Sequence, residues 1–264
     1  MQITSTANPR IKSAACLRDR HGRDDQGRII IDGVREIGRA LDAGVEIVEL
    51  YYFPQLCQDD EHQRLLKRAG QGRAERIEVT PPVMEKLSYG SRVEGIVAVA
   101  RPPRRTLAEI KLSANPLVAV VEGVEKPGNL GAIIRTADAA GIAAVVVAGG
   151  GTDLFNPNAI RASLGAIFTV PVCAAASEET LNWLRSHKLR IFAARVDGAV
   201  DYADADFKEP AAIVLGSEAA GLSPHWSAND IQAIRLPMLG RVDSLNLSAT
   251  AAVLFYEALR QRCV

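Results

Sequence analysis

Apolar runs in the second half of this chain are continuous rather than alternating. Residues 117-LVAVVEGV-124, 143-AAVVVAG-149, 189-LRIFAARV-196, 212-AIVLG-216 and 231-IQAIRLP-237 are rich in β-branched residues and poor in charge, which predicts strands buried on both faces of a parallel sheet. Between them helices are predicted over about 130–140, 157–168 and 177–187, and a long helix over 245–262 closes the chain. The first half alternates in the same way, with strands at 28–33, 46–53, 75–79 and 93–100 and helices at 34–44, 59–70 and 81–89. Gly44 and Gly70 stand where a helix needs a residue tolerant of positive φ in order to stop. The stretch 101-RPPRRTLAEIKLSANP-116 combines prolines with basic residues between two apolar runs and reads as a linker. The pattern therefore predicts two α/β domains, residues 1–105 and 117–264, joined through 106–116.

Composition adds boundaries more than direction. With 264 residues and 48% apolar content the chain can fill a core, and 31 basic against 31 acidic residues give no net charge to suggest a partner. Residues 1–105 hold 18 basic against 15 acidic side chains and the remainder 13 against 16, an asymmetry small enough for chance. Cys16, Cys57, Cys173 and Cys263 are scattered without a C-x-x-C pair, and read as free thiols with neither a disulfide framework nor a zinc site. The start MQITSTANPRIK has no apolar signal segment, and no window approaches the roughly 20 apolar residues needed to span a bilayer. A soluble cytoplasmic protein is the expectation. His21, His62, His187 and His225 sit singly in polar surroundings and read as surface residues.

Glycine turns after strands raise the question of nucleotides. The run 216-GSEAAG-221 has the glycine spacing of a P-loop, but Leu222 and Ser223 follow where Lys and Ser or Thr would hold phosphate and magnesium. No G-x-G-x-x-G opens a helix after a strand, and neither G-x-S-x-G nor H-E-x-x-H occurs. Three stretches stand out, 127-PGNLGAIIRTADAAG-141, 213-IVLGSEAAGLS-223 and 234-IRLPMLGRVDSLNLSATAA-252. Each couples a strand-like run to a Gly, Asn or Ser-rich turn, an arrangement in which a sheet holds backbone amides toward a ligand.

A strand-to-helix turn accounts for Asn129 as a cap and for the glycines around it, but not for Arg135, whose permanent charge interrupts the run Ala132, Ile133, Ile134. Near a helix start the dipole disfavours a cation, so this guanidinium calls for an anion, and phosphate is the best match. Glu218 lies between two glycines and can be a solvated turn carboxylate or a ligand group. Ser244, Asn246 and Ser248 alternate with Leu245 and Leu247, and three such groups exceed what one helix cap requires.

Together these stretches resemble the three signature motifs of the SpoU, or TrmH-type, family of RNA ribose 2′-O-methyltransferases in the SPOUT superfamily. Motif one is 127-PGNLGAIIRTADAAG-141, motif two 213-IVLGSEAAGLS-223 and motif three 235-RLPMLGRVDSLNLSATAAVLFYEALRQR-262; 160-IRASLGAIFTVPV-172 also resembles the family core. Residues 3–23 and 30–44 are similar to the L30e-like α/β substrate-binding domain that precedes such catalytic domains. The resemblance implies a parallel α/β catalytic domain with a C-terminal trefoil knot, a homodimer, and S-adenosylmethionine bound at positions matching Leu215, Gly216, Leu236, Met238 and Leu245. It also implies Arg135 as principal catalytic residue, with Asn129, Glu218, Ser244 and Asn246 completing the site and no metal. A guanidinium is a poor base at neutral pH, so Arg135 is expected to grip phosphate and orient the neighbouring 2′-hydroxyl. Glu125 and Lys126 precede Pro127 where an acidic then a small polar residue is common, and Asp32 stands where the front domain usually has Glu; neither departure falls on a catalytic position.

In front of such a domain, the cluster Arg10, Lys12, Arg18, Arg20, Arg23 and Arg28 forms a candidate phosphate track, which Arg101, Arg104 and Arg105 can extend; on charge alone it is also an ordinary solvated helix. Aromatic residues are only 5% of the chain, so shape and backbone contacts are expected to outweigh base stacking. Ribosomal RNA is the substrate the resemblance favours, with transfer RNA, or non-catalytic RNA binding on the same scaffold, as alternatives.

Overall fold

The computed structural model describes residues 1–72, 74–89 and 93–263. The chain divides into two compact units, one of Met1–Pro103 with Phe155–Thr169 and one of Arg104–Leu154 with Val170–Val264.

In chain order the first unit contains β1 (Gln2–Ile3), α1 (Pro9–Cys16), α2 (Arg20–Gln26), β2 (Ile29–Asp32), α3 (Val34–Asp42), β3 (Ile47–Tyr52), α4 (Asp60–Gln71), β4 (Glu75–Val79), α5 (Pro81–Leu87) and β5 (Ile96–Ala100). Its sheet has the order β1-β4-β3-β5-β2, with β5 antiparallel to both neighbours and β4 parallel to both of its own. All five residues of β5 are buried, as its unbroken apolar run IVAVA requires. Gly44 ends α3 with φ +73° as expected, but Gly70 lies inside α4, which continues to Gln71. The absent side chain of Gly70 instead makes room for Arg76, since a Cβ there would stand 3.1 Å from the guanidinium carbon.

The chain then forms β6 (Leu117–Glu122), α6 (Pro127–Ala139) and β7 (Ala144–Ala148) of the second unit. It next returns to the first unit as α7 (Pro157–Ala162) and α8 (Ala166–Thr169). The single helix predicted over 157–168 is thus broken, because Leu164 and Gly165 adopt φ of 54° and 82°. Gly165 is needed at the break, since its Cβ would stand 3.0 Å from the Cα of Glu36 in α3.

The second unit continues with β8 (Val172–Ala175), α9 (Ser177–Ser186), β9 (Arg190–Ala194), β10 (Val200–Asp201), β11 (Ala211–Leu215), β12 (Ile231–Arg235) and α10 (Leu247–Arg262). Its sheet runs β10-β12-β9-β11-β6-β7-β8 with every pairing parallel, the architecture that the continuous apolar runs predict. β6, β7 and β11 are buried along their whole length. The expected linker is partly docked: Thr106 and Glu109 form a capping box, and Leu107 and Ile110 are buried against Val118, Ala144 and Leu184 of this unit. Among the described residues no helix is long and apolar enough to cross a membrane.

The basic cluster of the first unit is largely turned inward. Arg10 bridges Glu49 at 2.8 Å and Glu75 at 2.5 Å. Arg18 donates to the carbonyls of Lys86 and Ser88. Arg23 is 5% exposed and donates to the carbonyls of Leu17 and Arg18 at 2.7 and 2.6 Å, satisfying acceptors just past the end of α1. These three arginines are therefore poor members of the expected phosphate track, because each directs guanidinium donors to acceptors within the fold. Lys12 and Arg20 are exposed, the latter 3.6 Å from Asp24. His62 also departs from the surface reading: its ring nitrogens meet Asp59 at 2.7 Å and the Glu94 carbonyl at 2.9 Å, and the side chain is 12% exposed.

Arg23→Met is expected to destabilise the chain by about 1.5–3 kcal/mol, the range for hydrogen bonds made by a charged group, whereas Lys12→Ala should stay within about 0.5 kcal/mol of the parent. Urea unfolding of both variants checks this, and equal midpoints would return Arg23 to the surface.

Candidate active site

The carboxyl ends of β9, β11 and β12 open onto a cavity of about 560 Å³ whose wall includes Ala194, Leu215 and Leu236. This is where an open parallel sheet presents its ligands, beyond the strand ends. All five expected cofactor positions line it, Leu215, Gly216, Leu236, Met238 and Leu245, together with Glu218 and Ser244. Residues 216–222 form one wall as a tight turn in which Ser217 and Gly221 exchange backbone hydrogen bonds of 3.0 and 3.1 Å. Gly216 must lack a side chain there, since a Cβ would lie 2.4 Å from the carbonyl carbon of Gly221. Arg195 and Asp197 neutralise each other across the opposite wall through two contacts of 2.8 Å.

Glu218 gathers Asn129 and Asn246. Its Oε1 accepts from Asn129 Nδ2 at 3.0 Å, Asn246 Nδ2 at 2.8 Å and the Leu247 amide at 3.2 Å, while Oε2 accepts from Lys126 Nζ at 2.9 Å. The Lys126 ammonium, then the Leu247 amide, hold this carboxyl below its ordinary pKa. With three donors on one oxygen and the Lys126 ammonium on the other, Glu218 ties Lys126, Asn129, Asn246 and the start of α10 together as an ionised carboxylate. Asn129 is not the helix cap expected of it. α6 begins at Pro127, so Asn129 falls inside its first turn and its amide is free to reach Glu218. Asn246 does cap α10, accepting from the Ser248 amide at 3.0 Å, and still donates to Glu218 and to Asn129 Oδ1, the latter at 3.2 Å. The Ser244 hydroxyl has no partner among the described residues.

Arg135 stands apart from this cluster. It is exposed, does not line the cavity, and has no partner among the described residues. Six residues beyond Asn129, it is turned about 240° from it around the helix and away from the buried face of Leu130, Ile133, Ile134 and Ala137. The early start of α6 also puts Arg135 well past its first turn, where the dipole no longer opposes a cation; that part of the argument for an anionic partner falls away. Its unspent charge remains.

Two residues escaped the sequence reading. One is Lys126. The other is Glu122, the last residue of β6, 7% exposed. Its two oxygens accept from the Ser223 amide at 2.7 Å, the Ser223 hydroxyl at 2.8 Å and the Ser177 hydroxyl. It thus fastens the far end of the cavity loop and the start of α9 to β6. Burial opposes its ionisation, but the hydroxyl of Ser177 and the amide of Ser223 outweigh that and keep its pKa below the ordinary value. A lone charge closing the apolar run LVAVVE was the available signal. Among the described residues no group of His, Cys, Asp or Glu could hold a metal ion.

Residues 116–256 match the SpoU rRNA methylase family and residues 8–98 an MRM3-like substrate-binding domain. A 23S rRNA (uridine(2479)-2'-O)-methyltransferase of Streptomyces viridochromogenes is 31% identical over 255 residues, covering 94% of this chain and 88% of that protein. The structure is similar to that of an RNA 2'-O ribose methyltransferase, 44% identical, with TM-score 0.86 and 100% of both chains covered. It is also similar to an AdoMet-bound rRNA methyltransferase from Sinorhizobium meliloti, 30% identical, with TM-score 0.89 and 98% and 97% of the two chains covered.

Because the folded pKa of Glu122 is depressed, its contribution to stability is present above the ordinary carboxyl range and is lost as pH falls through the folded value. Glu122→Gln is therefore expected to cost about 1–3 kcal/mol at pH 7, with the gap to the parent closing in acid. Denaturant unfolding across that pH range measures it; a gap that stays constant would show that the charge plays no part.

Proposed function

Since this chain belongs to the SpoU rRNA methylase family, we propose that it transfers a methyl group from S-adenosylmethionine to a ribose 2′-hydroxyl of ribosomal RNA, the substrate its relatives are named for. The observation that carries this reading is the convergence of Leu215, Gly216, Leu236, Met238 and Leu245 on one cavity whose rim holds the Asn129–Glu218–Asn246 cluster. The residues fit the cofactor. Leucine and methionine walls suit an adenine ring, about 560 Å³ is within the usual range for a ligand of that size, and at Gly216 the backbone lies bare. S-adenosylmethionine supplies an electrophilic methyl on a sulfonium.

The chain's own part is positioning. Glu218 fixes the amides of Asn129 and Asn246 at the cavity rim, Ser244 offers an unspent hydroxyl at its mouth, and Arg135 grips a phosphate so that the adjacent 2′-hydroxyl is aligned with the methyl. Arg135 does not serve as base. Holding the reacting atoms at about 3 Å is the principal gain.

The chain acts, on this reading, as a cytoplasmic homodimer without a metal. Supporting a dimer, Leu239, Val242 and Val196 are 98%, 63% and 77% exposed, and Tyr256 on α10 is 50% exposed, more apolar surface than a solvated loop needs. We also propose the trefoil knot: β12 lies beyond β9, and the segment after it returns past β9 and β11 to pack α10 on α6. Residues 1–105, with Lys12, Arg20, Arg101, Arg104 and Arg105 among their exposed cations, present the RNA to residues 117–264.

With labelled S-adenosylmethionine, ribosomal RNA fragments are expected to acquire a ribose methyl and transfer RNA transcripts not. Arg135→Ala should lower kcat/KM for RNA about 100-fold, equivalent to about 2.7 kcal/mol, with cofactor affinity unchanged; intact transfer would remove Arg135 from the site. Gly216→Ala should weaken cofactor binding at least ~10-fold by calorimetry, about 1.4 kcal/mol, and tight binding by that variant would move the cofactor elsewhere.

A further inference from the structure

Lys126 has no role in the reading above, yet it touches the carboxylate on which the site is built. Its Nζ lies 2.9 Å from Glu218 Oε2, and the side chain remains 70% exposed. The residue occupies the N-cap position of α6 without capping it, and its carbonyl accepts from the amides of Asn129 and Leu130 at 3.0 and 3.3 Å. A cation at the positive end of a helix is unfavourable unless an anion holds it, and Glu218 is that anion. Glu218 is also the carboxylate that fixes Asn129 and Asn246. Lys126 is thus held at the outer edge of the cluster, on the carboxylate oxygen that takes none of the other three hydrogen bonds.

An ammonium has three donors, and Glu218 occupies one. Two remain for an acceptor arriving from solvent. We infer that Lys126 is a substrate-binding residue that bridges Glu218 and an RNA phosphate next to the ribose being methylated. Phosphate fits better than a base edge, because a point charge on a flexible stem grips an anion without demanding orientation. Arg135 lies two to three turns along the same helix and on another side of it, so the two cations contact different phosphates. The inference rests on the RNA-methylating reading but is tested through binding as well as turnover.

Lys126→Met and Lys126→Arg, with the parent chain, are to be compared in RNA affinity as a function of salt, in KM for RNA against kcat, and in S-adenosylmethionine affinity. Lys126→Met is expected to raise Kd and KM for RNA about 10-fold and to flatten the plot of log K against log[salt] by about one ion. Its cofactor affinity should stay within about twofold of the parent, and Lys126→Arg should keep the parent's slope. An unchanged slope in Lys126→Met overturns the inference, and so does a loss of cofactor affinity as large as the loss for RNA, which would make Lys126 a prop for Glu218 alone. If the parent binds RNA but methylates none, the parent reading fails while the salt slope still decides whether Lys126 holds phosphate.

Discussion

One carboxylate holds three separate stretches of this chain in register. Glu218, on the turn after β11, takes donors from the first turn of α6 through Asn129, from Lys126 just before it, and from the start of α10 through Asn246 and the Leu247 amide. The placement suits both helices. A negative charge at the N-terminus of α10 meets the positive end of its dipole, and the same charge compensates the lysine at the N-terminus of α6. Remove the carboxylate and α10 loses a partner for its first amide, while Asn129 and Asn246 lose the acceptor that turns them the same way.

The turn bearing Glu218 is pinned again at its other end. Ser223 gives both its amide and its hydroxyl to Glu122, which stands at the end of the buried strand β6. The seven residues from Gly216 to Leu222 are therefore held from two sides, by an exposed carboxylate facing the helices and a buried one facing the sheet. Between these anchors the turn closes on itself through Ser217 and Gly221. A backbone wall held in this way needs no large side chains to define its shape, which is why a glycine-rich segment can be rigid.

Much of this is legible in the amino-acid sequence. Strands such as LVAVVE and AAIVL announce themselves because a parallel sheet covered on both faces leaves no polar position to confuse the pattern. That Leu215, Gly216, Leu236, Met238 and Leu245 share one cavity was legible by resemblance, since a backbone pocket depends on a few residue types at fixed places. Charged side chains were not. Arg10, Arg18 and Arg23 form a basic cluster in the sequence, and nothing local distinguishes a guanidinium facing solvent from one that reaches Glu49, the Ser88 carbonyl or the Leu17 carbonyl. A long stem lets the same residue serve either purpose. Boundaries failed for a related reason. Pro127 starts α6 three residues before the apolar periodicity shows it, and that shift alone moved Asn129 from cap to cluster and Arg135 from near the start of the helix to beyond its middle.

The division between spent and unspent hydrogen-bonding groups then supports the positioning role proposed for the site. Glu218, Asn246 and Glu122 are committed within the chain, whereas Arg135, Ser244 and two of the three donors on Lys126 are not. The committed groups form an inner frame, and the uncommitted ones lie outside it. Ordering the frame was accomplished on folding, so an arriving RNA does not bear that cost, and its binding free energy can go into alignment. Such a site needs no strong base. Bringing a hydroxyl oxygen within reach of an activated methyl and holding it there can supply about 7–11 kcal/mol when the geometry is near that of attack, and a frame saturated with hydrogen bonds is what keeps that geometry fixed.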